Sequence, residues 1–176
     1  MKKNKMAITI LCCICISLIA ALMIVPAAQA GEKAVKYKVV APITKIDFIP
    51  IPDMKGHIVG ALERRGVAIY ENGETAAYHC MIIFDASKEQ DGTWEGYGEL
   101  SFADGSMTIT KSKGTIINGK PKLVKGTGKY IKGSGRFEGI KGELSYDCKW
   151  ATPYTKDTTK GDLVCDTTTT YTLPKK

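Results

Sequence analysis

The chain has 176 residues, a formal charge of +7 at neutral pH and 44% hydrophobic residues, of which few are aromatic. That length holds a single domain with a self-sufficient core and leaves no room for a second one. Lysines and glutamates are interspersed rather than gathered in a stripe, which argues against a nucleic-acid partner.

The N-terminus comes first because it changes every other count. Lys2, Lys3 and Lys5 form a basic region, and Ala7 to Val25 is an almost unbroken apolar run. Pro26 breaks the run, and Ala28-Gln29-Ala30 supplies the small-x-small pattern of a cleavage site. A signal peptide over 1–30 is expected, cleaved after Ala30. Export to the periplasm or the cell exterior follows, with no stable membrane anchor after cleavage. The rival reading is an uncleaved anchor, because the run approaches the length of a membrane span. Cys12, Cys13 and Cys15 lie deep in the apolar run with no small residue before them, so a lipoprotein reading fails. The leader takes three of the 25 basic residues and none of the 18 acidic ones, leaving +4 on the chain from Gly31. That excess is a weak bias toward anionic partners.

Beyond Gly31, helical periodicity is almost absent. Short alternating runs punctuated by turn dipeptides predict antiparallel strands throughout. A first extended segment runs from Val35 to Pro52, where Pro42, Pro50 and Pro52 suggest an edge or a wrapping arm. His57 to Glu71 is strand-like, Asn72-Gly73 is a hairpin turn, and Thr75 to Phe84 returns. Asp85 to Gly92 reads as a polar loop. Gly92 to Ala103 and Ser106 to Ile116 form the next hairpin around Asp104-Gly105. Asn118-Gly119 turns into Lys122 to Ile131, and the Gly133 region turns the chain again. Arg136 to Trp150 and Leu163 to Leu173 are the last two strands. Eight strands joined as hairpins over 31–176 predict an all-β, calycin-like, eight-stranded antiparallel up-and-down barrel, since closure removes exposed edges. A two-sheet sandwich is the rival, disfavoured by hairpin-only connections.

Two-residue turns at Asn72-Gly73 and Asp104-Gly105 place Val67 opposite Tyr78, Phe102 opposite Met107 and Leu100 opposite Ile109. The interior face then carries Tyr78, Cys80, Ile82, Phe84, Trp94, Gly96, Gly98, Leu100 and Phe102. The solvated face carries Glu95, Tyr97, Glu99, Ser101, Thr108 and Thr110. Gly96 and Gly98 remove volume from an otherwise aromatic wall. They either open a ligand cavity lined by Tyr78, Phe84, Trp94, Phe102, Tyr146 and Trp150, or ease the twist of a filled barrel.

Candidate chemistry is sparse. The only two histidines are His57 and His79, and neither has a metal-ligand spacing or a cysteine on its own strand face. His79 is expected opposite Gly66, on the outward face. Glu95 and Glu99 lie about 13 Å apart along a strand, too far for paired-carboxylate chemistry. No catalytic residue, metal or cofactor is assigned. Arg64-Arg65 sits where a bulge would aim one arginine at the barrel mouth to meet a ligand carboxylate, with a plain surface pair as the alternative. Cys148 and Cys165 fall opposite each other if the last loop is centred on Lys156-Asp157. That predicts a disulfide in an oxidising compartment, against two buried thiols. Cys80 is expected to be a buried, inert thiol.

From Lys125 to Gly142 the chain repeats itself: Gly126 with Gly133, Gly128 with Gly135, Tyr130 with Phe137. The glycine offsets and the strand-like continuation through Phe137, Ile140 and Leu144 rule out a phosphate-binding loop. The run Gly133-Ser134-Gly135-Arg136-Phe137-Glu138-Gly139-Ile140-Lys141-Gly142 resembles the Gly-Ser-Gly-x-Phe-Glu-Gly-x-x-Gly run of plant allene oxide cyclases. It is similar, more loosely, to the Gly-Gly-Thr-Gly-x-Phe run of dirigent proteins. The resemblance covers about Lys125 to Tyr146. It implies a barrel of the superfamily those families share, in an exported bacterial setting, with a mouth or interior that holds a small apolar molecule. It also implies a homo-oligomer. The families' functional residues lie outside the matched run, so none is carried over. The expected function is binding of a small apolar or amphiphilic ligand. The alternatives are a cyclase or isomerase on an unsaturated lipid-derived substrate, and a structural or protein-interaction barrel.

Overall fold

Eight strands follow one another as antiparallel neighbours: β1 (Lys33–Pro50), β2 (Ile58–Tyr70), β3 (Thr75–Ala86), β4 (Gly92–Phe102), β5 (Met107–Ile117), β6 (Leu123–Ser134), β7 (Lys141–Trp150) and β8 (Asp162–Thr172). β8 returns to pair with β1, so the computed structural model is a closed barrel. It describes residues 31–52, 54–87, 91–117, 123–150 and 162–175. The expected leader over 1–30, the Asn118-Gly119 turn and the Lys156-Asp157 loop centre lie outside the described residues.

The proline-bearing first segment is not an arm. Tyr37 on β1 lies between Tyr70 of β2 and Thr167 of β8, and the β8 ladder runs to Pro42. From there to Pro50, among the described residues, β1 pairs with β2 alone. Strand β3 also runs two residues past its expected end at Phe84, through Asp85 and Ala86. The long seventh strand begins later than expected, after a 3-10 helix at Gly135–Phe137.

The β2–β3 and β4–β5 hairpins are each built one residue longer than a two-residue turn. Tyr70 N–H donates to Glu74 O and Phe102 N–H to Ser106 O, so each loop has three residues. Gly73 and Gly105 occupy the left-handed region at φ 84° and 79°, and the side chains of Asn72 and Asp104 accept the N–H two residues on. This is a type I turn closed by a glycine bulge. The extra residue slides the register by one, which flips a strand's faces. Val67 therefore pairs with Ala77 and points out, and Gly66 pairs with Tyr78. Leu100 pairs with Thr108, so Thr108 and Thr110 face the interior, and Met107 and Ile109 take the other face. His79 lies opposite Arg65, still outward.

The outside of the barrel has two characters. On β2 to β4, Val67, Ile69, Met81, Ile83 and Tyr97 are exposed. On β5 to β8 the outer face is charged, with cross-strand ion pairs Lys125–Asp147 at 3.1 Å and Lys129–Glu143 at 3.0 Å. Such exposed pairs contribute roughly 0.2–1 kcal/mol each.

Inside, the end that carries the 71–73 and 103–105 turns is shut by aromatic rings. Tyr37, Tyr70, Phe102, Phe137, Tyr171 and Tyr130 touch in an unbroken chain, with centroids from 4.8 to 6.2 Å apart. Arg136 lies over Phe102 and Phe137 and pairs with Glu74 and Asp104. The Ser106 N–H, aided by Arg136, holds the Asp104 carboxyl below the usual range.

Candidate functional site

A β-bulge shapes the opposite end. On β1, Ile43 pairs with Arg64 and Lys45 with Glu63, leaving Thr44 as the extra residue. Before it the odd residues Tyr37, Val39 and Ala41 are buried in the interior; after it, Ile46 and Phe48 take the cavity side, Phe48 at the mouth and still 44% exposed. One inserted residue thus keeps apolar side chains on the inner face of a strand whose pattern changes phase.

Those side chains line a cavity of about 990 Å³ at the β1–β2 loop end, a size typical of small-molecule sites. Ile46, Phe48, Ile82, Phe84 and Trp94 represent its walls, and its basic lining residues among those described are Lys55, His57 and Arg64. His57 pairs with Asp85 at the rim.

Arg64 and Arg65 separate as strand neighbours must. Arg65 points outward and donates to Glu63, beside His79. Arg64 points inward, only 4% exposed; its Nη1 donates to Ala41 O at 2.9 Å and its guanidinium lies 4.9 Å from the Trp150 ring centroid. The bulge expected near this step is on the facing strand, opposite the arginine.

Of the eight residues expected to line a ligand site, Phe84, Trp94 and Trp150 border the cavity. Tyr78 and Tyr146 lie in the layer beneath, where Tyr146 shares a 3.0 Å hydrogen bond with Ser112. Phe102 belongs to the aromatic closure at the far end. Gly96 and Gly98 are in the wall and differ from each other. A Cβ at Gly96 would stand 2.1 Å from Met81 O, whereas at Gly98 the nearest atom is Thr110 Oγ1 at 3.2 Å. Gly96 marks a close approach of two backbones, and the cavity is not made by it. Sequence reading missed Ile43, Ile46 and Phe48, because the proline-bearing segment reads as an edge or a wrapping arm and the bulge that turns Ile46 and Phe48 inward leaves no turn dipeptide.

Cys148 and Cys165 are paired across β7 and β8 and form a disulfide one layer below Trp150 and Leu163. Cys80 is buried, and burial pushes its thiol pKa up, which disfavours the reactive thiolate.

The interior tyrosines give a pH prediction. Burial raises Tyr37 and Tyr78 well above the ordinary value and Tyr130 to about 12. A raised folded-state pKa gives stability that is whole below the unfolded value of about 10 and is lost as pH climbs through the folded one. Alkaline titration should show tyrosinate absorbance from these rings appearing together with loss of β circular dichroism. A full tyrosinate signal on an intact barrel would show the rings to be accessible.

No protein-family model matches the chain, and no curated protein matches it. Among solved structures it is similar to two pterocarpan synthase dirigent proteins. GePTS1 is 15% identical with a TM-score of 0.49, over 84% of this chain and 94% of that one. PsPTS1 is 13% identical with a TM-score of 0.48, over 83% and 97%. The barrel itself rests on its own strand ladder. The allene-oxide-cyclase side of the resemblance rests on the glycine run alone.

Proposed function

We propose that this chain is an exported barrel that holds one small apolar or amphiphilic molecule in the cavity at its β1–β2 loop end. The cavity carries the reading: about 990 Å³ bounded by aliphatic and aromatic side chains at the end away from the aromatic closure. Apolar surface of that extent gains by covering itself with a ligand. The described lining is mostly apolar, and the imidazole it contains, His57, is held by Asp85 at the rim rather than aimed into the cavity's apolar interior, so retention is favoured over turnover. The leader pattern and the Cys148–Cys165 disulfide support export, since disulfides persist in oxidising compartments.

The test is fluorescence of an uncharged naphthylamine probe. It should brighten on binding and be displaced by medium-chain amphiphiles. Leu62→Trp, which fills the cavity, should weaken the probe at least about tenfold with the β spectrum unchanged. Absence of probe binding to the wild-type barrel would remove the reading.

A further inference from the structure

We propose that the molecule held in the cavity ends in an oxyanion and enters head first, its anionic group meeting the Arg64 guanidinium. This rests on the binding reading above and adds the ligand's charge and direction.

The lining on β2 runs inward through Ile58, Leu62 and Arg64 and stops there. The next inward position is Gly66, which has no side chain to offer and is closely approached by the β1 backbone, a Cβ there standing 2.0 Å from Val40 O. Ile43, the deepest lining residue of β1, is the ladder partner of Arg64. On β3 the other partner is the buried Cys80, with Ile82 lining just above it. Arg64 therefore marks the inner limit of the cavity on the strands that form most of its wall. Among the described strand residues, the lining between it and the β1–β2 loop is apolar, with Ile46, Phe48, Leu62 and Phe84.

A guanidinium presents five N–H donors in a planar fork that matches an oxyanion. This one is oriented before any ligand arrives, by Ala41 O and by the Trp150 face. Ordering the side chain in advance removes an entropy cost from binding. An acceptor-bearing head at the floor and a hydrocarbon tail along the wall satisfy both chemistries at once. A head held at Lys55 would instead leave the tail against the guanidinium.

The experiment displaces the naphthylamine probe with one alkyl chain carrying a carboxylate, sulfonate, phosphate, hydroxyl or ammonium head. The anions should bind about ten- to a hundredfold tighter than the alcohol, with the ammonium weakest. The order among the three anions separates a fatty-acid-like ligand from a phosphorylated one. Arg64→Met should erase the anion advantage and leave the alcohol within about threefold, while Lys55→Met should change the anions by no more than about threefold. Equal binding of anion and alcohol to wild type overturns the proposal and leaves the binding reading standing. Displacement by none of them overturns the binding reading itself. Loss of the anion advantage in Lys55→Met but not Arg64→Met places the head at the rim and also overturns the proposal. If Arg64→Met does not fold, Arg64→Lys keeps the charge without the fork and should retain only part of the advantage.

Discussion

Gly96→Ala should destabilise the barrel by about 2–4 kcal/mol, and Gly98→Ala by less than about 1 kcal/mol, although the two glycines are inward neighbours on one strand. A Cβ at Gly96 meets Met81 O at 2.1 Å and Ile82 Cα at 2.7 Å, both on the adjacent strand. Backbone atoms cannot rotate away. β3 and β4 would have to part, stretching the ladder between Ile82 and Gly96. At Gly98 the nearest atom is a hydroxyl, Thr110 Oγ1 at 3.2 Å, then Tyr78 ring atoms at 3.7 Å and beyond. A shift of a few tenths of an ångström admits the methyl group. Alanine also narrows the unfolded ensemble, a gain of roughly 0.4–1 kcal/mol that offsets the crowding. Urea unfolding of the two variants measures the contrast, and equal losses would show that the close approach at Gly96 is not there.

Replacing Cys148 and Cys165 together by alanine should cost about 3 kcal/mol and lower the melting temperature by roughly 10 °C. The bond joins residues 17 apart in sequence, and its main effect is to restrict the unfolded chain. Its position adds a functional consequence. The bridge ties β7 to β8 one layer below Trp150 and Leu163, and Trp150 is the surface on which Arg64 rests. Under reducing conditions the barrel should therefore lose anion affinity before it loses its β spectrum. Thermal unfolding with and without reductant, alongside probe displacement, reads both effects. A change in melting temperature below about 2 °C would mean the bond constrains little.

Strand order, closure and the pairing of Cys148 with Cys165 were legible because they depend on hairpin connectivity and period-two alternation. Register was legible only in part. Asn72-Gly73 and Asp104-Gly105 announce turns, but the same dipeptides serve a two-residue loop and a three-residue loop with a bulge. The difference of one residue sent Thr108 and Thr110 to the wrong face. The cavity was less legible still. Aromatic residues drew attention to Phe102, Tyr78 and Tyr146, which close or underlie the interior, while the bulge at Thr44 assigns Ile46 and Phe48 to the wall. Arg64 stood out as one of a pair, and strand geometry alone decided which member of the pair turned inward.

The six linked rings from Tyr37 to Tyr130 make the barrel a cup rather than a pipe. Contents cannot be pushed through it. For a ligand held as proposed, loading and unloading would use the same rim, so a newcomer would have to wait for the resident to leave. Exchange between two ligands should then proceed at the resident's own departure rate, however much of the competitor surrounds the protein.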